Sequence, residues 1–231
     1  MYKKINMEEY PRREHFNHFK TMEQPMVTVT TRIDITDWLK SLKKTSYPFF
    51  LSFQYAVAQA ANKIPEFRQR IKDGEIIEYD FSNPSYTLAL PDETFRFCPV
   101  NANQPFDDYI RDAKLMEEII SKENLHEEDP LKYLFVSTSP WFDYESLSIA
   151  YPNKESSNPN FIWGKYTKDN KLYLENGSIK EKEVITMPLT IMANHALIDA
   201  VHIKKFLENL QEELNRMMNQ EFYQEENRNV K

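Results

Sequence analysis

Apolar residues recur along this chain with two periods, and the switches between them outline the fold. From Asp199 to about Met218, Ile203, Phe206, Leu207 and Leu210 return at three- and four-residue spacing with Lys and Glu opposite, the stripe of an amphipathic helix. The stretch Pro48 to Ile64 is apolar over most of a helical circumference and predicts a helix buried on nearly every side, with Pro48 tolerated in its first turn. A shorter helix is expected over 37–44, capped by Thr36, with an acidic start and a basic end that suit the helix dipole. A fourth is expected over 107–120.

Runs rich in β-branched and aromatic residues predict strands at 26–34, 76–79, 86–90, 133–137, 144–149, 161–163 and 184–192. The stretch 153–160 reads as a loop, because its Ser, Asn and Pro favour turns over regular ladders. Strands and helices interleave without strict alternation, so the expected class is α+β, a two-layer sandwich of a mixed β-sheet and helices. No repeat or linker divides the chain. Residues 1–218 are expected to form one domain, and 219–231 a polar tail that frays.

Composition narrows the function. The 231 residues suit one well-filled domain, and 15 Phe with 13 Tyr supply large apolar surfaces for its core. Only Gly74, Gly164 and Gly177 are glycines, which excludes a glycine-rich phosphate loop. A formal charge of -7 argues against a nucleic-acid partner, and the lack of long basic blocks argues against an anionic membrane surface. Cys98 stands alone, so neither an internal disulfide nor a cysteine zinc site is expected, and no metal is called for. With no apolar leader and no long apolar stretch, a soluble cytoplasmic protein is expected.

Five histidines are available for proton chemistry: His15, His18, His126, His195 and His202. His195 sits where the apolar run 184–193 meets the helix near Asp199, a junction that presents a side chain rigidly. By position alone it reads more readily as a histidine hydrogen-bonded at a chain reversal, and Asp199 as a helix cap.

The segment His195-Ala-Leu-Ile-Asp199 resembles the His-x-x-x-Asp-Gly signature of the chloramphenicol acetyltransferase family and of the related dihydrolipoamide acyltransferase catalytic domains. The likeness continues in Tyr10-Pro-Arg-Arg-Glu-His-Phe16, Arg32-Ile-Asp-Ile-Thr36, Pro65-Glu-Phe-Arg68 and Ile71-Lys-Asp-Gly-Glu75. It goes on through Glu93-Thr-Phe95, Ser139-Pro-Trp141, Gly164-Lys-Tyr166 and Met187-Pro-Leu189, in family order across about 1–215.

The resemblance implies an acetyl-CoA-dependent O-acetyltransferase, most closely a chloramphenicol O-acetyltransferase, that transfers directly without an acyl-enzyme. It makes His195 the general base that takes the proton of the acceptor hydroxyl. It makes Ser146, five residues after Trp141, the donor to the tetrahedral oxyanion. Asp199 paired with Arg12 becomes a structural brace for the base. Lys165 and Tyr166 become contacts of coenzyme A, and Phe19, Tyr133 and Ile162 surround the acceptor. A homotrimer with active sites between subunits is also implied. Two other readings share this frame: the same transfer to a different hydroxyl, and a non-catalytic trimeric homologue that binds a ligand.

This chain departs from the family pattern in a few places. Asn194 stands where a first histidine is usual, Ala200 where glycine is, and Ile162 where a threonine helps bind the transition state through water. His18 replaces an aromatic, and 153–160 is polar where the family is apolar. The transfer machinery is therefore expected to be kept, with fewer apolar contacts for a chloramphenicol-sized acceptor.

Overall fold

The computed structural model describes residues 1–123 and 129–220. Strand β1 (Tyr2–Lys4) and helix α1 (Arg13–Phe19) precede β2 (Met26–Asp34), α2 (Thr36–Leu42), α3 (Phe49–Asn62) and the short α4 (Pro65–Arg68). Then come β3 (Gln69–Lys72), β4 (Glu75–Tyr79), β5 (Asn83–Ala89), β6 (Phe95–Pro99) and α5 (Phe106–Lys122). The chain finishes through β7 (Tyr133–Ser139), β8 (Asn160–Gly164), β9 (Thr167–Glu175), β10 (Ser178–Asn194) and α6 (Ala200–Gln220).

The main sheet runs β2-β10-β8-β7-β5-β6, with β9 pairing β10 off that path, while β1, β4 and β3 form a small second sheet. The main sheet is mixed: β7 is parallel to both β5 and β8, and the other pairs are antiparallel. Alternation along the strands gives it two unlike faces. One carries Tyr86, Cys98, Val136, Phe161, Trp163, Leu189 and Ile191, all in the hydrophobic core with residues of α2, α3, α5 and α6. Ring contacts stitch the layers, Phe53 of α3 to Trp163 at 4.9 Å and Phe206 of α6 to Phe161 at 4.8 Å. The other face is a row of Thr30, Thr190, Ile162 and Ser137 in register, continued by Thr87, whose hydroxyl lies 3.1 Å from that of Ser137. No helix covers this face among the described residues, and Phe95 and Phe97 stand on it 57% and 60% exposed. This is the α+β sandwich of mixed sheet and helices expected above.

Because β7 and β8 are parallel neighbours, the chain between them must cross from one end of the sheet to the other. It does so through 140–159 with no helix or strand. The strand predicted at 144–149 does not form. Its apolar–polar alternation imitates a strand, but Glu145 to Ser148 instead line a depression beside Thr28 and Thr30 of the edge strand β2. Conversely β9 was not predicted, since its burial pattern is exposed almost throughout and no apolar periodicity marks it. It forms a projecting hairpin with the first half of β10, turned by Asn176 and Gly177 at φ 50° and 76°, the positive-φ pair favoured between strands.

Other expectations shift in detail. Thr36 does not cap α2 as the N-cap residue. It is the first helical residue, its N–H donates to Asp34 Oδ1 at 2.9 Å, and its hydroxyl accepts from Ile185 N–H at 2.8 Å. Pro48 lies at the N-cap of α3, just outside the first turn. Helix α6 runs through Gln220, so the expected tail begins as helix, and 221–231 lie outside the described residues, as does His126.

Arg70 in β3 is fully buried, an unusual place for a guanidinium. Its acceptors are the carbonyls of Leu131, Phe67, Gln69 and Tyr133 and the hydroxyl of Ser82, at 2.7 to 3.1 Å. Burial works against the charge and pulls its pKa down to about 9, but the acceptors satisfy the donor fork and join β3 to the start of β7. Arg70→Met removes the whole fork while Asn158 Nδ2 still reaches the Leu131 and Tyr133 carbonyls, and is expected to cost about 3 kcal/mol. Thermal unfolding followed by circular dichroism should show Tm lowered by roughly 10 °C.

Candidate active site

The centre of the site is the turn between β10 and α6. Its geometry begins with Asn194, 1% exposed at the end of β10. The Asn194 carbonyl accepts from the N–H groups of Leu197 and Ile198 at 3.0 and 2.9 Å, which closes the turn tightly. His195 leaves the sheet with its own N–H donated to the Pro25 carbonyl at 2.6 Å. Its ring stacks on Phe19 of α1, with centroids 4.0 Å apart and planes 21° from parallel. Nδ1 of His195 lies 3.0 Å from the carbonyl oxygen of Ile198. A carbonyl only accepts, so this contact assigns the ring proton to Nδ1 and leaves the lone pair on Nε2. An imidazole held this way is set to receive a proton at Nε2.

Asp199 ends the turn. Its Oδ1 accepts from Ala200 N–H at 2.8 Å, and its Oδ2 lies 3.3 Å from Arg12 Nη1. Capping the helix and pairing with Arg12 are thus compatible roles. Burial acts to raise the Asp199 carboxyl, but the Ala200 N–H, the Arg12 guanidinium and the positive charge His195 carries when protonated outweigh it. The carboxyl is held below its usual range. A second histidine supports the same residue. The Asp199 N–H donates to Nδ1 of buried His202 at 2.9 Å, and Nε2 of His202 lies 3.5 Å from Glu66 in α4. Burial also acts to raise Glu66, but its bond to His202, a main-chain bond and the attraction of His202 and Lys205 together outweigh it and hold the carboxyl below its usual range. Only the three-residue spacing of Asp199 and His202 could have hinted at this contact from the sequence; Glu66 lay in the motif Pro65-Glu-Phe-Arg68, with nothing to link it to His202.

Ser146 lies elsewhere, exposed on the crossover segment. The depression it lines with Thr28, Thr30, Glu145, Leu147 and Ser148 has a volume of about 490 Å³. Among the described residues no hydrogen bond joins Ser146 to His195 within one chain. Lys165, exposed just after β8, donates its main-chain N–H to the Phe142 carbonyl at 3.0 Å, so it lies next to that segment. Tyr166 leans on Phe49 of α3, with centroids 5.8 Å apart.

A family model described as chloramphenicol acetyltransferase matches residues 1–211. The chain belongs to the chloramphenicol acetyltransferase family. A chloramphenicol acetyltransferase of Escherichia coli is 29% identical over 221 residues, covering 91% of this chain and 93% of the relative. Chloramphenicol acetyltransferase 3 of Escherichia coli is also 29% identical, covering 91% and 96%. A solved chloramphenicol acetyltransferase superposes with a TM-score of 0.75 at 24% identity, covering 93% of this chain and all of that one. A probable dihydrolipoamide acetyltransferase from Listeria monocytogenes shares the fold, with a TM-score of 0.66 at 18% identity over 95% and 97% of the two chains.

Against that family the departures acquire structural content. Asn194 Oδ1 accepts from Ala196 N–H at 3.0 Å, while its Nδ2 donates to the carbonyls of Lys154 and Ser156 at 3.0 and 3.1 Å. It therefore ties the 153–160 loop to the histidine turn. Asn153, Lys154 and Glu155 of this loop are exposed, while its second half turns inward. Ser157, Asn158 and Asn160 are buried, and Asn158 Nδ2 donates to the carbonyls of Pro130, Leu131 and Tyr133. Ser157 accepts from Ile71 N–H at 2.9 Å. The polar side chains of that second half thus serve main-chain oxygens and nitrogens. Tyr133, at the start of β7, is buried and joined to that loop through its carbonyl. Ile162 lies on the sheet face without helices, 5% exposed and in register with Thr190 and Ser137. His18 sits edge-on to Phe19 at 5.0 Å.

The structure thus brings His195, Phe19, Asp199 and Arg12 into one cluster, while the depression that Ser146 lines includes none of them. The Arg12 side chain is 13% exposed and that of Asp199 is 35% exposed, so the pair is only partly shielded from solvent. Arg12→Met and Asp199→Asn are each expected to cost about 1–2 kcal/mol of stability and roughly tenfold in kcat. The double variant should lose little more than either single one, a coupling that a double-mutant cycle reads directly.

Proposed function

We propose that this protein transfers an acetyl group from acetyl-CoA to the hydroxyl of chloramphenicol, with His195 as general base and Ser146 as oxyanion donor. The observation that supports it most is the Nδ1 contact to Ile198, because it leaves Nε2 of His195 free for the alcohol proton. As that proton moves to Nε2, the alcohol oxygen attacks the thioester carbonyl and forms a tetrahedral oxyanion. The Ser146 hydroxyl donates to that oxyanion. Collapse breaks the carbon–sulfur bond, and the departing thiolate of coenzyme A takes the proton back from His195. Holding both substrates in one site supplies most of the remaining rate. Lys165, exposed beside the crossover segment, suits the phosphates of coenzyme A, and Tyr166 suits its adenine end, with part of its ring engaged by Phe49.

Ser146 and His195 do not meet within one chain, which supports an active site assembled between subunits of a homotrimer. The face without helices, with Phe95 and Phe97 exposed, offers apolar surface for such an interface. With acetyl-CoA, chloramphenicol and a thiol reagent, steady thiol release is the expected result, lowered at least a hundredfold by His195→Ala. Unchanged turnover in that variant would refute the base assignment. Sedimentation should give three times the subunit mass of 27.6 kDa, and a mass of one subunit would leave the site incomplete. The hydroxyl-rich lining of the depression favours a second reading, the same transfer to a more polar alcohol. Thiol release with such an alcohol and none with chloramphenicol would replace the first acceptor by the second.

A further inference from the structure

We infer that Arg32 is a positioning residue for acetyl transfer: paired with Asp143, it clamps the crossover segment that holds Ser146. The inference rests on the reading of Ser146 as oxyanion donor. An oxyanion donor works only if it is held in place before the charge develops. Yet Ser146 is exposed, belongs to no helix or strand, and makes no side-chain hydrogen bond among the described residues. Its position must come from neighbours.

Arg32 lies on the edge strand β2 opposite Pro188 of β10. Its Nη1 donates to Oδ1 and Oδ2 of Asp143 at 3.0 and 3.1 Å. Its Nε donates to Thr186 Oγ1 at 3.1 Å and its Nη2 to Thr167 Oγ1 at 2.8 Å. Thr186 and Thr167 are cross-strand partners at the base of the β9–β10 hairpin, so one guanidinium joins three segments. The neighbouring residues are pinned as well. Tyr144 N–H donates to Asp143 Oδ1 at 3.0 Å, and the Tyr144 hydroxyl donates to the Ile162 carbonyl at 2.7 Å. The Tyr144 ring fills the space above Gly164, where an added Cβ would come within 2.8 Å of its Cε1. The Phe142 carbonyl is held by Lys165 N–H. Ser146 follows two residues after this pinned run.

A lone ion pair at this exposure is worth little, but here a planar fork serves a carboxylate and two hydroxyls at once. Lysine would keep the charge and lose the fork. The guanidinium faces Asp143 and the threonines, so its effect on the reaction passes through Ser146. It should therefore fall on kcat, leaving the KM for acetyl-CoA within about twofold.

The test uses Arg32→Ala, Arg32→Lys and Ser146→Ala, singly and combined, assayed with acetyl-CoA and chloramphenicol, or with whichever alcohol releases thiol. Ser146→Ala is expected to lower kcat about a hundredfold. Arg32→Ala should lower it about tenfold, with Arg32→Lys in between, and should cost nothing further in the Ser146→Ala background. Amide exchange across 143–148 should quicken in Arg32→Ala even if its activity is lost for other reasons. If Ser146→Ala leaves kcat unchanged, the oxyanion reading fails and the clamp's catalytic role with it. If Ser146→Ala is slow while Arg32→Ala is not, or if the two losses add, the inference about Arg32 alone is overturned. Unchanged exchange across 143–148 overturns it too.

Discussion

A neutral imidazole has one lone pair to offer, and it points usefully only when the opposite ring nitrogen is engaged. The Ile198 carbonyl meets that demand from within the turn that carries His195. The rest of the turn is arranged so that this oxygen can be where it is. The Asn194 carbonyl collects the N–H groups of Leu197 and Ile198, and the Pro25 carbonyl takes that of His195. Asp199 then closes the turn against Arg12 and His202. The ring direction is thus fixed by main-chain geometry first and by charged side chains second.

A similar economy governs the buried polar residues. Arg70, Asn158 and Asn194 all direct their donors at main-chain carbonyls, in places where the chain has no ladder to satisfy them. Leaving such oxygens unpaired inside a protein is costly, so an irregular segment can enter the interior only with a side chain to meet it. The loop 153–160 and the start of β7 are held by this means. The loop beside His195 is therefore hydrogen-bonded to the fold without belonging to a ladder.

Much of this was legible in the sequence, for identifiable reasons. Long apolar runs marked α3 and the inner part of β10, and an amphipathic stripe marked α6, because burial on one or all sides leaves a readable period; the exposed first part of β10 left none. Strand β9 has almost no buried residue and so left no period, and α1 buries only Phe16. The 144–149 stretch had the right alternation and no partner strand. At the site, His195, Asp199 and Arg12 were marked by their likeness to family motifs. His202, Glu66, the ties of Asn194 and the Arg32–Asp143 pair were not visible. Those partners lie 40 residues apart for Asn194 with Lys154 and 111 for Arg32 with Asp143, and only the folded sheet makes them neighbours.

Strand β10 is one continuous strand with two independent sets of partners. Its first half is paired only with β9, while the half that ends at His195 is registered on β2 from Thr186 to Asn194 and on β8 from Leu189 to Met192. The placement of His195 is therefore counted from the sheet and not from the Asn176–Gly177 turn. Residues added or removed in matched pairs across the hairpin change how far it projects while every side chain of the inner half keeps its face. The hairpin is thus a part of the molecule whose length evolution can vary without disturbing the chemistry.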